Sequence, residues 1–301
     1  MRSRVVRRVL RACTVLLVCL EVCQAAAEPS KGKVAIAIYT PNVLFENPSA
    51  RFAYVQDVAR QVSAATGVEF QGKAFSRSVD LEVAIKKGEV QFAILDAVYV
   101  AAGGAGHPVL ATATTRGEIA PHWALFSSGA TDLRALRGQR LWVARTSARD
   151  DDFIENALFG GDLRIKEWFG GKGETPDLAS AVISVKRREK DAALLPETAG
   201  QGLKRLLEAG RVPGPAFCQI DLRQPAELVA KLRQALAAQR SGAVLDGWKP
   251  ADASAYRALG ARMAPHVKRP VAIEPRRAAI DELGLLVPAP MAAPRLPDLR
   301  Q

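Results

Sequence analysis

Short apolar runs recur along the first third of the chain and predict buried strands. They are Lys33–Tyr39, a run that begins at Val68–Phe70, and Gln91–Leu95. Runs of this length, bounded by turn-forming residues, are typical of strands inside a sheet. Helical patterns lie between them, so the order of elements predicts a mainly parallel sheet with helices on both faces.

The helical patterns consist of apolar residues three and four positions apart. Ser49–Ala65 has the clearest one, and the residues that it predicts to face the core are Phe52, Val55, Val58 and Val62. Ser78–Lys87 is predicted as the next helix because Gly88 follows it, and Asp96–Ala102 begins a third.

The alternation is interrupted and then restarts. Val109–Thr115 and Trp123–Ser128 are extended runs, and a polar segment separates them. The elements predicted after them are a short helix over Asp132–Arg137, a strand over Gln139–Ala144, a helix over Asp150–Phe159, an irregular glycine-rich stretch over Gly160–Gly173, a helix over Pro176–Lys190, a strand over Asp191–Leu195, a helix over Gly200–Ala209, an extended run over Pro213–Ile220, a helix over Pro225–Gln239, and a turn and further helix over Trp248–Gly260.

Two α/β units predict two lobes. The chain enters the second unit near Trp123 and leaves it near Phe217, and the following helix packs most simply on the first unit. Two crossings make a hinge, and the cleft between the lobes is the natural ligand site. The predicted organisation is a leader over 1–27, a first lobe over 28–118 and 218–262, a second lobe over 119–217, and a tail rich in Pro, Ala and Arg over 263–301.

The N-terminus has the three parts of a secretory signal peptide. Five arginines precede the apolar run Val15–Leu20, and Ala25–Ala27 supplies small residues for cleavage. We therefore expect an exported, periplasmic chain. Cys23 leaves lipidation open, although Glu21 and Val22 are not the small residues that such processing needs.

Charge and cysteine content change after the leader is removed. Taking its five arginines and one glutamate from 42 basic and 31 acidic residues leaves a net charge of +7. This charge fits an anionic ligand or an acidic partner, and simple solubility explains it equally well. Cys218 is the one cysteine that remains, so we expect a buried structural thiol and no intramolecular disulfide.

Polar side chains follow the predicted strands, where ligands of open α/β sheets bind. The candidate ligand-binding residues are Tyr39, Thr40, Ser76, Arg77, Asp96 and Tyr99 in the first lobe, and Thr146, Ser147, Arg149 and Glu197 in the second. Hydroxyl groups and guanidinium groups suit phosphate or carboxylate. These candidates also have structural explanations. The tyrosines could simply pack in the core, the arginines could be solvated, and Asp96, Thr146 or Ser147 could cap helices.

The turn Thr146–Arg149 is the most specific candidate. It joins a buried strand to a helix, so it presents hydroxyls, free backbone N–H groups and the positive end of a helix dipole to one point. That combination binds anions.

Three stretches resemble the type II periplasmic solute-binding proteins, in their phosphate- and phosphonate-binding branch. They are VAIKKGEVQFAILDAVYV over Val83–Val100, DLRALRGQRLWVA over Asp132–Ala144, and SAVISVKRREKDAALLPETA over Ser180–Ala199. The resemblance covers roughly 33–260 and implies two α/β lobes, a receptor that delivers its ligand to an ABC transporter permease, and an oxyanion cradle at Thr146–Ser147. Ala148 stands where that family has glycine, and Arg149 adds a charge.

The function that these features favour is capture of a small polar or anionic ligand, with an oxyanion such as phosphate or phosphonate as the leading class. The alternative is an envelope sensor or protein-interaction scaffold on the same fold. An enzyme on this fold is a third reading, but no nucleophile or acid–base pair stands out. We expect a monomer without catalytic residues, metal, cofactor or nucleic-acid partner.

Overall fold

The computed structural model describes residues 33–103, 106–188, 190–239, 244–265, 279–280 and 286–287. The predicted signal peptide, Cys23 and most of the predicted tail lie outside the described residues. Within these ranges, no helix is both long and apolar enough to cross a membrane. His266–Gln301 form a separate unit, of which the structure describes one antiparallel pair, β12 (Ala279–Ile280) and β13 (Leu286–Val287).

The unit that ends at Pro265 contains two sheets and their flanking helices. Its strands are β1 (Val34–Tyr39), β2 (Phe70–Ala74), β3 (Phe92–Leu95), β4 (Val109–Thr114), β5 (His122–Ser127), β6 (Arg140–Ala144), β7 (Gly171–Thr175), β8 (Ala192–Pro196), β9 (Lys204–Arg211), β10 (Ala216–Gln219) and β11 (Gly247–Pro250). Its helices are α1 (Pro48–Thr66), α2 (Ser78–Lys86), α3 (Ala97–Ala102), α4 (Asp150–Asp152, continued by the π-helical Phe153–Leu158), α5 (Ile165–Trp168), α6 (Leu178–Arg187), α7 (Ala226–Ala238) and α8 (Ala253–Arg262), with short 3-10 turns at Arg134–Leu136 and Glu197–Ala199.

Each sheet belongs to one lobe. Lobe 1 has the strand order β11-β4-β10-β3-β1-β2, and lobe 2 has the order β7-β6-β8-β5-β9. The pairs β1–β2, β1–β3, β6–β7 and β6–β8 are parallel. Strands β10, β11, β5 and β9 pair antiparallel with their neighbours, so both sheets are mixed rather than mainly parallel.

The antiparallel strands follow from the way the chain crosses between the lobes. It leaves lobe 1 after β4 and enters lobe 2 as β5, then leaves lobe 2 after β9 and returns as β10. The two crossings run in opposite directions, and β4 pairs with β10 as β5 pairs with β9. Gly214 N donates to Ile119 O at 2.7 Å and ties the crossings together. The domain limits stay a prediction, and Phe217, the predicted last residue of lobe 2, lies within β10.

Helix α1 shows how local sequence sets an element of lobe 1. The Asn47 side chain accepts a hydrogen bond from Ala50 N, Pro48 starts the helix, and Gly67 ends it in the left-handed region at φ 75°. Such a start and stop stabilise helix ends. Val55, Val58 and Val62 are buried as predicted, but Phe52 is 47% exposed while its neighbour Arg51 is only 4% exposed.

The helix predicted over Gly200–Ala209 is wrong. This segment contains β9, an edge strand that pairs with β5 and is interrupted by two register shifts. Leu203, Leu206 and Leu207 mimic helical spacing, but the tertiary pairing with β5 decides the conformation. Charged residues along the strand suit an unpaired edge, which they protect from pairing with other chains.

The glycine-rich stretch predicted as irregular contains the strand β7, and the turn predicted at Trp248 is the strand β11. Glycine lowers strand propensity, but Gly173 lies opposite Trp142 on β6. A Cβ atom at Gly173 would come within 2.4 Å of the Trp142 ring. The glycine is therefore required by the bulky neighbour, a contact that the local sequence does not reveal.

The last helix of this unit touches both lobes. The Gly260 position of α8 lies so close to Ala101 of α3 that a Cβ atom there would come within 3.0 Å of the Ala101 carbonyl oxygen. Just after Gly260, at the C-terminal end of the helix, Met263 O accepts hydrogen bonds from Asn156 at 3.2 Å and from Arg149 at 3.4 Å in lobe 2. The segment predicted to return to lobe 1 therefore also braces lobe 2.

Candidate functional site

A cavity of about 1010 Å³ lies between the two lobes. Both lobes supply its walls at the strand ends that sequence analysis singled out. Its lining residues are Tyr39, Ser76, Arg77, Ser78, Val79, Glu82, Tyr99, Ala102 and Gly103 from lobe 1, and Arg145, Ser147, Ala148, Arg149, Glu174, Thr175 and Pro176 from lobe 2.

Two tyrosines form part of the lobe 1 wall. Tyr39 ends β1 and Tyr99 lies on α3, and their rings meet edge to face with centroids 5.5 Å apart. The Tyr99 hydroxyl reaches Glu82 Oε1 at 3.5 Å, and burial together with the Glu82 charge raises the Tyr99 pKa to about 12. The Tyr39 pKa is raised by burial and by the nearby charges of Asp96 and Asp150. Both hydroxyls therefore stay protonated at neutral pH.

The segment from β2 to α2 carries Ser76 and Arg77. Arg77 is exposed, and its guanidinium binds both carboxylate oxygens of Asp80 at 2.6 and 2.7 Å. No side chain caps the start of α2. Ser76 accepts a hydrogen bond from a residue behind the wall: its Oγ lies 3.1 Å from Arg51 Nη2.

Arg51 is a buried cation without an ionic partner among the described residues. Within the described part of the chain, its guanidinium donates one side-chain hydrogen bond, to Ser76, and its Nε has no partner. Burial lowers the Arg51 pKa, while the charge of Asp177, across the lobe interface, acts in the opposite direction. A lone buried charge is strongly unfavourable unless something compensates it.

The turn at Thr146 in lobe 2 is occupied by the chain itself. Asp150 accepts hydrogen bonds from Thr146 N at 2.8 Å, Ser147 N at 2.9 Å and Ser147 Oγ at 3.3 Å. Arg149 N donates to Ser147 Oγ at 3.1 Å. The carboxylate of Asp150 therefore fills the anion site that this turn creates.

A polar network behind the cavity joins the lobes. The Asn42 side chain donates to Asp96 Oδ1 at 3.2 Å and to Thr146 Oγ1 at 2.8 Å. The Tyr39 hydroxyl donates to Thr146 O at 2.9 Å, and Leu178 N in lobe 2 donates to Pro41 O in lobe 1 at 2.9 Å. These bonds fix the ends of β1 and β6 relative to each other.

Burial disfavours the charged form of two carboxylates in this network. It raises the Asp150 pKa to about 6, although the Thr146 and Ser147 N–H groups oppose the shift. Burial also raises the Asp96 pKa, against hydrogen bonds from Val98 and Asn42. Asp96 and Asp150 repel each other across the lobe interface, since the charge of Asp96 contributes to the raised pKa of Asp150.

The structure brings most of the predicted ligand-binding residues to one place. Tyr39, Ser76, Arg77, Tyr99, Ser147 and Arg149 line the cavity. Thr40, Asp96 and Thr146 are buried and do not line it. Asp96 caps α3 by accepting from Val98 N at 3.0 Å, the structural alternative considered for it. Whether any of these residues binds a ligand stays a prediction.

The placement of Glu197 in the site is corrected by the structure. Its carboxylate forms an ion pair with Arg205 on the edge strand β9, and it does not line the cavity. Arg149 lines the cavity, but its guanidinium is divided between Asp152 Oδ2 at 2.9 Å and Met263 O. The prediction for Glu197 came from its position after a strand, and it does follow β8, but it begins the short 3-10 turn Glu197–Ala199 and not the expected helix.

Sequence reasoning missed Arg51, Asn42 and the lobe 2 residues Glu174–Pro176. Glu174 and Thr175 end β7, the strand hidden among glycines. The succession Thr175-Pro176-Asp177 before the helical pattern could have revealed a strand end and a helix cap, since Asp177 accepts from Ser180 N at 2.9 Å. Arg51 gave no such signal, because its burial depends on how α1 packs.

No protein-family model and no curated protein sequence matches the chain. Solved structures do match. The PhnD1 protein of Prochlorococcus marinus in complex with methylphosphonate superimposes with a TM-score of 0.59 at 10% identity, covering 77% of this chain and 97% of that one. A binding protein component of an ABC phosphonate transporter from Pseudomonas aeruginosa gives a TM-score of 0.58 at 12% identity, covering 74% and 82%.

A third similar structure is a Xanthomonas citri protein solved bound to a chloride ion, with a TM-score of 0.52 at 13% identity, covering 76% of this chain and 96% of that one. At these identities the likeness concerns the fold. The chain has the two-lobed α/β fold of type II periplasmic binding proteins, and the resemblance read from its sequence is confirmed at that level.

Proposed function

We propose that this protein is a periplasmic solute-binding protein that captures a small polar ligand between its lobes for an ABC transporter. An oxyanion such as phosphate or a phosphonate is the class of ligand that we favour. The observation that carries the proposal is the cavity of about 1010 Å³ with walls from both lobes. A cavity divided between two hinged lobes lets ligand binding shift the balance between open and closed forms.

The chemistry of the walls supports a polar ligand. The polar residues Tyr39, Ser76, Ser147 and Arg145 line the cavity. Arg145 is exposed, and within the described ranges its guanidinium has only a long ion pair with Glu174, 3.8 Å from its Nε to the carboxylate. Similar structures from Prochlorococcus marinus and Pseudomonas aeruginosa bear the names of phosphonate-binding proteins, which supports the same ligand class here.

Export to the periplasm is the second part of the proposal. It is supported by the basic head, apolar run and alanine triplet of the predicted signal peptide. A membrane permease is then the expected protein partner, because a receptor of this kind presents its closed form to a transporter.

A thermal-shift screen of the chain without its predicted signal peptide tests the function. Phosphate, phosphite, methylphosphonate, a sulfonate and acetate would be compared, each at several concentrations. A ligand at about one hundred times its Kd adds about 2.7 kcal/mol to the free energy of unfolding. We expect at least one oxyanion to raise the melting temperature selectively.

A pair of tryptophan variants makes the screen specific for the cavity. Ala148→Trp places a large side chain in the cavity, whereas Ala238→Trp makes the same change at the exposed end of α7. We expect Ala148→Trp to abolish the ligand response and Ala238→Trp to keep it. An equal response in both variants would place binding outside the cleft.

A sensor or protein-interaction scaffold is the second candidate. The observation that favours it is Asp150, which occupies the backbone N–H groups of Thr146 and Ser147 that an oxyanion would otherwise use. If no small molecule stabilises the protein while a partner protein from the cell envelope binds it with a defined affinity, the scaffold replaces the receptor.

A further inference from the structure

Arg51 is a buried cation with few hydrogen bonds and no ion pair among the described residues to balance its charge. The side chain is 4% exposed. Among the described residues, its Nε has no hydrogen-bond partner, and its guanidinium donates one side-chain hydrogen bond, to Ser76 Oγ. No ion pair joins it to a carboxylate within the described part of the chain. Buried polar groups in native structures nearly always have partners, so an exception calls for an explanation.

The position of Arg51 in α1 adds to this imbalance. It lies near the start of the helix, whose first turn contains no acidic residue. Side chains on a helix tilt toward its N-terminus, and the helix dipole there disfavours a cation. The guanidinium and the helix end therefore add positive potential behind the cavity wall at Ser76.

The corresponding turn in lobe 2 already holds a carboxylate. The N–H groups of Thr146 and Ser147 already donate to the Asp150 carboxylate at 2.8 and 2.9 Å. An incoming anion could use them only by displacing a buried carboxylate, which would then need a new partner.

We propose that the cleft holds the anionic group of its ligand on the lobe 1 side, against Ser76 and the start of α2, with Arg51 as the buried counter-charge. This inference rests on the proposed function. Ser76 and Ser78 line the cavity, and among the described residues no side chain caps the first turn of α2. The acid in that turn, Asp80, is bound by Arg77. Arg51 is a positioning residue: it orients Ser76 through the bond to Oγ, and its charge selects for an anion.

The test is isothermal titration of the chain without its predicted signal peptide with methylphosphonate and with inorganic phosphate, for wild type, Arg51→Met and Arg51→Lys. Methionine keeps the unbranched stem and removes the charge. We expect Arg51→Met to bind both anions at least about tenfold more weakly, and Arg51→Lys to lose less. The neutral ester dimethyl methylphosphonate should bind equally weakly to all three proteins.

The melting temperature without ligand separates this role from a structural one. Because Arg51→Met removes an unbalanced buried charge, it should leave the melting temperature unchanged or raise it. A lower melting temperature would identify Arg51 as a structural residue and overturn the inference. Asp177→Asn, which keeps an oxygen to cap α6, should leave anion affinity within about twofold of wild type.

The remaining outcomes are also distinct. If Arg51→Met binds both anions as tightly as wild type, the inference is wrong and the proposed function stands. If Asp177→Asn reproduces the loss seen in Arg51→Met, Arg51 acts by attracting lobe 2 and not the ligand, which again overturns the inference. If wild type binds none of the anions, the proposed function fails, and this inference fails with it.

Discussion

The two polar clusters that border the cavity differ in how far the chain satisfies them. In lobe 2, the N–H groups of Thr146 and Ser147 converge on the carboxylate of Asp150. In lobe 1, the guanidinium of Arg51 reaches a single serine and finds no carboxylate among the described residues. A cluster with internal partners contributes to the stability of the fold, whereas one without them has capacity left for a ligand.

The comparison is instructive because both clusters look alike in sequence. Each has a serine near an arginine at the end of a strand, Ser76 with Arg77 and Ser147 with Arg149. The neighbouring acids make the difference: Asp80 engages only the exposed Arg77, while Asp150 turns inward and takes the backbone N–H groups. The position of one carboxylate is therefore the reason that we propose lobe 1, and not lobe 2, as the anion-binding side of the cleft.

The largest effect is expected from Asp150→Ala, which removes the internal partner of lobe 2. Two backbone N–H groups would lose their acceptor in a buried turn, at a cost of about 2–4 kcal/mol in the free energy of unfolding. Urea unfolding at pH 7 measures it. Asp151→Ala is the matched control, because its side chain is 59% exposed and pairs with Lys172 on the surface; its cost should be within about 0.5 kcal/mol. Equal costs would mean that the hydrogen bonds of Asp150 contribute no more to the free energy of unfolding than the ion pair of Asp151 does.

A smaller effect, with a distinctive pH dependence, is expected from Asp150→Asn. The pKa of Asp150 is raised from 3.8 to about 6 by burial. Between pH 4 and pH 6 the folded protein therefore holds a proton that the unfolded chain releases, and wild type loses stability as the pH rises through this window. The asparagine variant lacks this titration.

The measurement is urea unfolding of both proteins from pH 4 to pH 7.5. The stability of wild type relative to Asp150→Asn should fall by about 2 kcal/mol from pH 4 to pH 6 and stay level above it. Asp96, whose pKa is also raised by burial, remains in both proteins, so the difference reports the titration of Asp150 together with its repulsion by Asp96. A difference that stays flat, or one that grows with pH, would show that Asp150 is not a strained carboxylate.

Tyr39→Phe removes one of the bonds between the clusters, and its effect should be smaller again. The Tyr39 hydroxyl donates to Thr146 O at 2.9 Å in a buried position, so its loss should cost about 1 kcal/mol. Tyr99→Phe is the control, because among the described residues the Tyr99 hydroxyl makes only the 3.5 Å contact with Glu82. Chemical unfolding of both variants gives the comparison. A cost for Tyr99→Phe that matches Tyr39→Phe would argue against a bond that holds the lobes together.

Sequence patterns were sufficient for the elements whose signals are local. Buried strands such as β1 and β3 appear as apolar runs, and the residues that end them, Tyr39 and Asp96, lie at the lobe interface as the topology requires. Because parallel strands carry their carboxyl ends to one edge of a sheet, the general position of the cleft followed from the order of elements.

Patterns failed where a residue depends on a distant neighbour. The run Asp150–Asp152 gives no sign that its first member turns inward while the others bind Lys172 and Arg149. At the start of α1, the apolar spacing predicted Phe52 in the core, but the helix is rotated so that Arg51 is buried. Both facts arise from packing between segments far apart in sequence, and both determine the character of the site.

The smallest effect is expected from Arg77→Ala, the sharpest contrast with Arg51→Met. Arg77 lines the cavity, but its guanidinium is exposed and already engages both oxygens of Asp80. Exposed charges act weakly through solvent and are screened by salt, so affinity for methylphosphonate should fall by less than about threefold. Titration at 20 and at 200 mM salt measures it, and the small loss should vanish at the higher concentration. A loss of affinity that persists in salt and equals that of Arg51→Met would mean that the exposed Arg77 binds the anion directly. Burial of the cation would then not be what distinguishes the two sides of the cleft.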